Sequence, residues 1–162
     1  MQGKAAFRGH PLHLMLIPFP IAFWTGALFT DGAGALTHDA FWFRMSTVLV
    51  AMGTAGAALA SIAGYVDYRT AAMSRKAFGV ATGHLVWSLA TLAAFVLAWA
   101  LRRAAHDSVY GIAATIGGGA LLFVAGYLGS ELANRYRVGI SDVSPDGDGD
   151  GEARRARAKR RR

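Results

Sequence analysis

The sequence predicts an all-α integral membrane protein, a four-helix bundle with both termini in the cytoplasm. Three observations support this fold class: four long apolar segments, a low content of charged residues and an uneven distribution of Lys and Arg. Of the 162 residues, 54% are hydrophobic and 17% are charged, and the mean hydropathy is +0.32. Because a soluble domain carries about 25% charged residues, much of the surface is predicted to face lipid.

The four apolar segments span about residues 12–29, 45–66, 80–101 and 110–128. Each is close to the ~20 residues that a helix needs to cross ~30 Å of hydrocarbon. Helices are expected because lipid offers no partner for unpaired backbone groups. Pro18 and Pro20 predict a kink in the first helix. Small residues at Gly53, Ala57, Ala113 and Gly117 predict close helix contacts.

Lys and Arg residues predict the orientation of the bundle. The end that holds the N-terminus carries seven of them before the tail, namely Lys4, Arg8, Arg69, Arg75, Lys76, Arg135 and Arg137. The opposite end carries three, namely Arg44, Arg102 and Arg103. We therefore expect a membrane domain over residues 1–140 and a cytoplasmic tail over residues 141–162. The Asp/Gly-rich and then Arg-rich composition of that tail predicts disorder.

Several chemistries are excluded or disfavoured by composition. The chain has no cysteine, so it supplies no disulfide, thiolate metal site or cysteine nucleophile. It has no phosphate-binding loop, dinucleotide fingerprint or HExxH motif, and no nucleophile–base arrangement, so we do not expect an enzyme on its own. The basic tail is expected to contact lipid or to act as a topology signal rather than to bind nucleic acid.

Ionisable residues of all four segments fall at the end predicted to be cytoplasmic. An ionisable side chain within a membrane helix usually faces the bundle interior and marks a functional site. His13 and His84 are the strongest candidates for a pair of ligands, because two imidazoles on facing helices can ligate a heme iron from opposite sides. The candidate cofactor-binding residues are His10, His13, Tyr65, Asp67, His84 and Glu131.

The alternatives stay open at this point. Each histidine could instead hydrogen-bond a carbonyl or carboxylate at headgroup depth. His10, His13, His84, Asp67 and Glu131 would also suit zinc, manganese or non-heme iron.

The sequence resembles a bacterial family of small predicted membrane proteins, the domain of unknown function 2231. The opening Gly9-His10-Pro11-Leu12-His13, followed by Phe19-Pro20-Ile21, is similar to the family's G-H-P-x-H and F-P-I pattern. Later segments are similar in the same order, namely Gly64 to Tyr68, His84, Gly126 to Leu132 and Val138 to Ile140. The chain departs from the family pattern where Asn134-Arg135-Tyr136-Arg137 replaces a closing Tyr-Arg-His-Gly.

The resemblance implies a multi-pass protein of the bacterial inner membrane. The family's domain is found joined to Rieske-type or sugar-dehydrogenase modules, which implies a respiratory context. The leading hypothesis is therefore a membrane domain that binds heme b and exchanges electrons with a quinone or a partner redox subunit. The second is a structural subunit of a larger membrane complex without a cofactor. The third is a His/carboxylate metal-handling or small transport protein.

Overall fold

The computed structural model describes residues 6–7 and 10–138. A two-residue strand pair comes first, with β1 (Ala6–Phe7) antiparallel to β2 (His10–Pro11). Five helices follow: α1 (Leu12–Leu16), α2 (Pro18–Thr37), α3 (Ala40–Thr70), α4 (Arg75–Arg102) and α5 (Val109–Asn134). The short strand pair was not predicted from the sequence, whereas the predicted fold of four apolar membrane-length helices is confirmed.

Four spans are long and apolar enough to cross a membrane: Leu12–Thr37, Ala40–Thr70, Arg75–Arg102 and Val109–Asn134. Every span extends beyond the limits predicted from hydropathy. The longest has 31 residues, or about 46 Å at 1.5 Å per residue. Because this exceeds the ~30 Å hydrocarbon layer, helix ends reach into the headgroup regions.

The first span consists of two helices because prolines interrupt its hydrogen bonding. Pro18 and Pro20 have no N–H to donate to the preceding turn. Ile17 separates α1 from α2, and its N–H still reaches the His13 carbonyl at 3.1 Å. Ile17 itself keeps right-handed helical dihedrals, with φ of −52° and ψ of −39°, so α1 and α2 follow each other within one membrane span. The kink that the prolines predict stays a prediction.

Side-chain caps define where the later helices begin. Asp39 accepts the N–H of Phe41 at 2.8 Å ahead of α3, and Ser74 accepts the N–H of Ala77 ahead of α4. Ser108 accepts the N–H of Gly111 ahead of α5. These bonds satisfy backbone donors that a helix start leaves without an intrahelical partner.

The helices form a ring in chain order. The most extensive contacts join α2 to α3 and α4 to α5, and contacts of α3 with α4 and of α2 with α5 close the ring. The short α1 packs on α3. Large apolar side chains cover the outside of the ring, as lipid requires; examples are Phe29, Ile62, Val86 and Phe123.

The centre of the ring is a stack of two aromatic rings. Trp24 of α2 and Phe95 of α4 are nearly parallel, with centroids 4.0 Å apart. Gly53 and Gly118 make room for them, since a Cβ at Gly53 would lie 2.5 Å from Trp24 and one at Gly118 would lie 2.8 Å from Phe95. Gly117 is predicted from the sequence as a contact residue, but it faces open space. The packing face of α5 contains the next residue, Gly118, instead.

Replacing Gly53 with Ala is expected to destabilise the bundle by about 1–3 kcal/mol, because the new methyl group overlaps the buried Trp24 ring. The measurement is the free energy of unfolding in detergent. Gly117→Ala is the matched control and should cost nothing, since open space surrounds that position. Equal stability of the two variants would contradict this account of the core.

Candidate functional site: a pair of histidines at one end of the bundle

His13 and His84 meet at the end of the bundle that holds the chain's N-terminus. His13 lies on α1 and His84 lies on α4. Their ring centroids are 6.3 Å apart, with 75° between the ring planes. The structure therefore brings together the two residues that the sequence singled out as a pair.

Each histidine is bonded through Nδ1 to a backbone carbonyl of another helix. His13 Nδ1 lies 2.8 Å from the Ala60 carbonyl oxygen of α3, and His84 Nδ1 lies 2.9 Å from the Ala125 carbonyl oxygen of α5. A carbonyl can only accept, so Nδ1 carries the proton in both rings. In the neutral rings the lone pair is then on Nε2, which is the arrangement that metal-ligating histidines adopt.

Each histidine ring packs against a glycine that lies one helical turn after the residue whose carbonyl the ring binds. A Cβ at Gly64 would lie 2.8 Å from the His13 ring, and a Cβ at Gly129 would lie 3.0 Å from the His84 ring. The α3 and α5 backbones thus fix both rings by a hydrogen bond and by close packing. Turning either ring would break its bond to the carbonyl. His84 Nε2 also lies 3.5 Å from the Ser88 hydroxyl.

A cavity of about 370 Å³ adjoins the two histidines. This volume is within the range of ~300–1,000 Å³ that small-molecule sites occupy. Its lining is mainly apolar, with a few convergent polar side chains, and includes Leu14, Ile17, Ser61, Asp67, Tyr68, Leu85, Ser88 and Ser130. An apolar cavity with few polar groups is the usual form of a binding site for an apolar ligand.

The remaining candidate residues are placed less centrally. Asp67 lines the cavity. Tyr65 is 51% exposed and lies against Tyr68, with ring centroids 6.5 Å apart. The Glu131 carboxylate pairs with Arg135 at 2.9 Å one turn along α5.

The backbone of His10 pairs with Phe7 in the strand pair. Within residues 6–7 and 10–138, no group of three or more His, Cys, Asp or Glu is placed to hold a metal ion.

A second polar cluster lies at the opposite end of the bundle and was not predicted from the sequence. Arg102 of α4 is fully buried and makes a bidentate pair with Asp31 of α2, in which Nη1 lies 2.9 Å from Oδ1. Its Nη2 also donates to the Thr115 hydroxyl at 2.9 Å, and its Nη1 donates to the His106 carbonyl. Nearby, His106 Nδ1 lies 3.1 Å from the Thr47 hydroxyl.

The sequence alone places Arg102 among the three basic residues at this end of the bundle and does not predict its burial. Hydropathy ends the third apolar segment at residue 101, and a charge just beyond it looks solvated. An ionisable residue of opposite sign near the end of another apolar segment, here Asp31, was the signal that could have identified the pair. Buried charges are paired, so each of the two predicts the other.

Comparison with protein families matches residues 9–142 to a family described as predicted membrane protein, with a domain of unknown function numbered 2231. This match confirms the resemblance found in the sequence. Neither the curated proteins nor the solved structures give a match.

Gly64→Ala is expected to displace the His13 ring and to break its bond to the Ala60 carbonyl, because the added methyl group would overlap the ring. The measurement is the 15N chemical shift of His13 Nδ1 in histidine-labelled protein, assigned with His13→Asn. Gly117→Ala serves as the control and should leave the histidine shifts in place. An unchanged His13 signal in Gly64→Ala would show that the glycine does not seat the ring.

Proposed function

The chain belongs to the DUF2231 family of predicted membrane proteins, and we propose that it is a membrane redox domain that holds heme b between His13 and His84. The observation that carries the proposal is the pair of histidines, each with Nδ1 fixed by a backbone carbonyl. The lone pair of each ring is then on Nε2, and at His84 a bond to iron would replace the long contact of 3.5 Å between Nε2 and the Ser88 hydroxyl. Heme bound in this way supplies one-electron chemistry. The chain would exchange electrons with a quinone or with a partner redox subunit.

The spacing of the two rings supports a shared metal. Metal–nitrogen bonds of about 2 Å place two imidazole centroids roughly 6 Å apart across one metal ion. The observed separation is 6.3 Å. Two imidazoles also complete the coordination of a heme iron, because the porphyrin supplies the other four nitrogens. A structural zinc site takes four protein ligands and a catalytic one takes three, so a two-histidine site favours heme.

The cavity supports the remaining parts of the proposal. Its mainly apolar lining would accept a lipid-soluble quinone ring. Asp67 and Tyr68 are the polar residues of the lining that are able to move or hold a proton beside such a ligand. Tyr65 and Glu131 lie outside the described lining, so the proposal gives them no direct role.

The purified protein is expected to show a reduced α-band near ~560 nm after dithionite treatment. His13→Ala and His84→Ala should each abolish bis-imidazole ligation and change or remove that band. His38→Asn is the matched control, because His38 is a helix cap with φ of 57° at the opposite end and Asn tolerates that conformation. A featureless spectrum after expression with ample heme would overturn the proposal.

A structural function is the second candidate, and the same hydrogen bonds favour it. Each Nδ1 bond joins two helices, and interhelical bonds of this kind stabilise membrane bundles by about 0.6 kcal/mol and up to ~1.7 kcal/mol. In a scaffold subunit of a larger complex, the histidines would link neighbouring helices by hydrogen bonds and would bind no cofactor. A colourless protein whose His13→Ala variant loses about that much unfolding free energy would support this candidate.

The proposed topology places the histidine end and both termini in the cytoplasm of a bacterial inner membrane. Since the chain has no cysteine, Ala72→Cys and Asp107→Cys each introduce one label site, in the α3–α4 and α4–α5 connections. In intact cells, a membrane-impermeant maleimide should label the Asp107→Cys protein and spare the Ala72→Cys protein until the membrane is broken. The reverse pattern would invert the orientation.

A further inference from the structure

Three residue pairs with the same sequence offset meet along the middle of the bundle. The first span contributes His13, Trp24 and Asp31, and the third contributes His84, Phe95 and Arg102, in each case 71 positions later. Every residue contacts its counterpart: the histidine rings at 6.3 Å, the aromatic rings at 4.0 Å and the ion pair at 2.9 Å.

The second and fourth spans show the same correspondence with an offset of 65 positions. Ala60 and Ala125 supply the carbonyls that bind the two histidines, and Gly64 and Gly129 seat the two rings. Gly53 and Gly118 make room for the central aromatic residues. The difference between 71 and 65 means that the stretch of chain between equivalent positions of the two helices is six residues shorter in the second hairpin than in the first.

The buried positions follow the same offsets. Pro20 and Ala27 of α2 are buried, as are Thr91 and Ala98 of α4. Ser46 and Val50 of α3 are buried, as are Gly111 and Thr115 of α5. Because helix order, contacts and burial all repeat, the unit α1–α3 and the unit α4–α5 are two equivalent helix hairpins. Both enter at the same end, so the axis that relates them runs along the bundle, as in parallel membrane repeats.

Equivalent residues can touch each other only where they face one another across that axis. At the histidine pair and the aromatic pair, the two sides are alike in chemistry. At the third pair they are opposite in charge. If two first hairpins met, two aspartates would face each other, and if two second hairpins met, two arginines would. Only a first hairpin facing a second one buries a compensated pair.

We infer that the Asp31–Arg102 pair selects the pairing of the first hairpin with the second, against pairing of like hairpins between two chains. Breaking a buried ion pair by removing one partner is strongly destabilising, since it leaves an uncompensated charge. Like charges in the wrong pairing provide the repulsive element that specificity requires. The partner recognised by each hairpin face is thus a second, oppositely charged copy of the same two-helix unit.

The packing around Arg102 shows which further substitution is needed when the charges of residues 31 and 102 are exchanged. A Cβ at Gly111 would lie 2.7 Å from the Arg102 Cγ, so glycine is needed there. The equivalent position in the first hairpin is Ser46, which is buried. An arginine at position 31 would therefore fit the corresponding seat once Ser46 is glycine. The exchanged protein carries Asp31→Arg, Ser46→Gly and Arg102→Asp.

The test compares this triple variant with Asp31→Arg/Ser46→Gly, in which two arginines face each other, using the full chain in detergent. The like-charge variant is expected to lose about 10 °C in Tm, and adding Arg102→Asp should recover more than half of that loss. Equal Tm values for the two variants would overturn the equivalence of the hairpins, and an undiminished Tm in the like-charge variant would overturn the role of the pair.

A second measurement tests selection directly. Full chains carrying Asp31→Arg/Ser46→Gly and Arg102→Asp are co-expressed with different tags. Exchange of hairpins between the two chains restores opposite charges at the axis, so the two should co-purify several-fold more than two differently tagged wild-type chains. Co-purification at the wild-type level would overturn the inference that charge decides which hairpins pair.

Discussion

Close helix contact around bulky side chains is the constraint on which the rest of this structure depends. Between helices surrounded by lipid there is no hydrophobic driving force, so association must come from fit and from interhelical hydrogen bonds. Gly53 and Gly118 allow Trp24 and Phe95 to stack at the centre. This stack sets the distance between α2 and α4. It thereby also sets how far apart the two histidines lie at one end and the two charged residues at the other.

The polar residues at the two ends of the bundle differ in what they contact. At one end, His13 and His84 satisfy Nδ1 on the backbone of a neighbouring helix and adjoin a cavity of about 370 Å³. At the other end, both Nη atoms of the fully buried Arg102 bond the nearly buried Asp31, while Arg102 Nε has no hydrogen-bond partner among the described residues. An accessible polar pair beside a cavity is suited to a ligand, whereas a sealed ion pair is suited to holding the helices in one arrangement. The stacked rings of Trp24 and Phe95 thus lie between the candidate site at one end and the ion pair at the other.

Parts of the candidate site were predictable and parts were not. His13 and His84 stood out because ionisable residues within apolar segments are rare. Tyr65 and Glu131 were chosen by their depth along the helix. Depth does not fix the direction of a side chain, and neither residue is among those that line the cavity beside the histidine pair. The burial of Arg102 was not predicted, because hydropathy treats a charge as the end of a segment whether or not a partner buries it.

The sequence by itself determined the number of spans, the membrane environment and the location of a histidine pair near one end. These follow from local properties: run length, hydropathy and the rarity of ionisable residues in lipid. The tertiary structure alone decided that Gly118 rather than Gly117 faces the core, that Asp31 and Arg102 bury each other, and that the two hairpins are equivalent. These facts depend on which face of each helix meets its neighbour, and helices covered with apolar residues on all sides encode that choice only in their mutual fit.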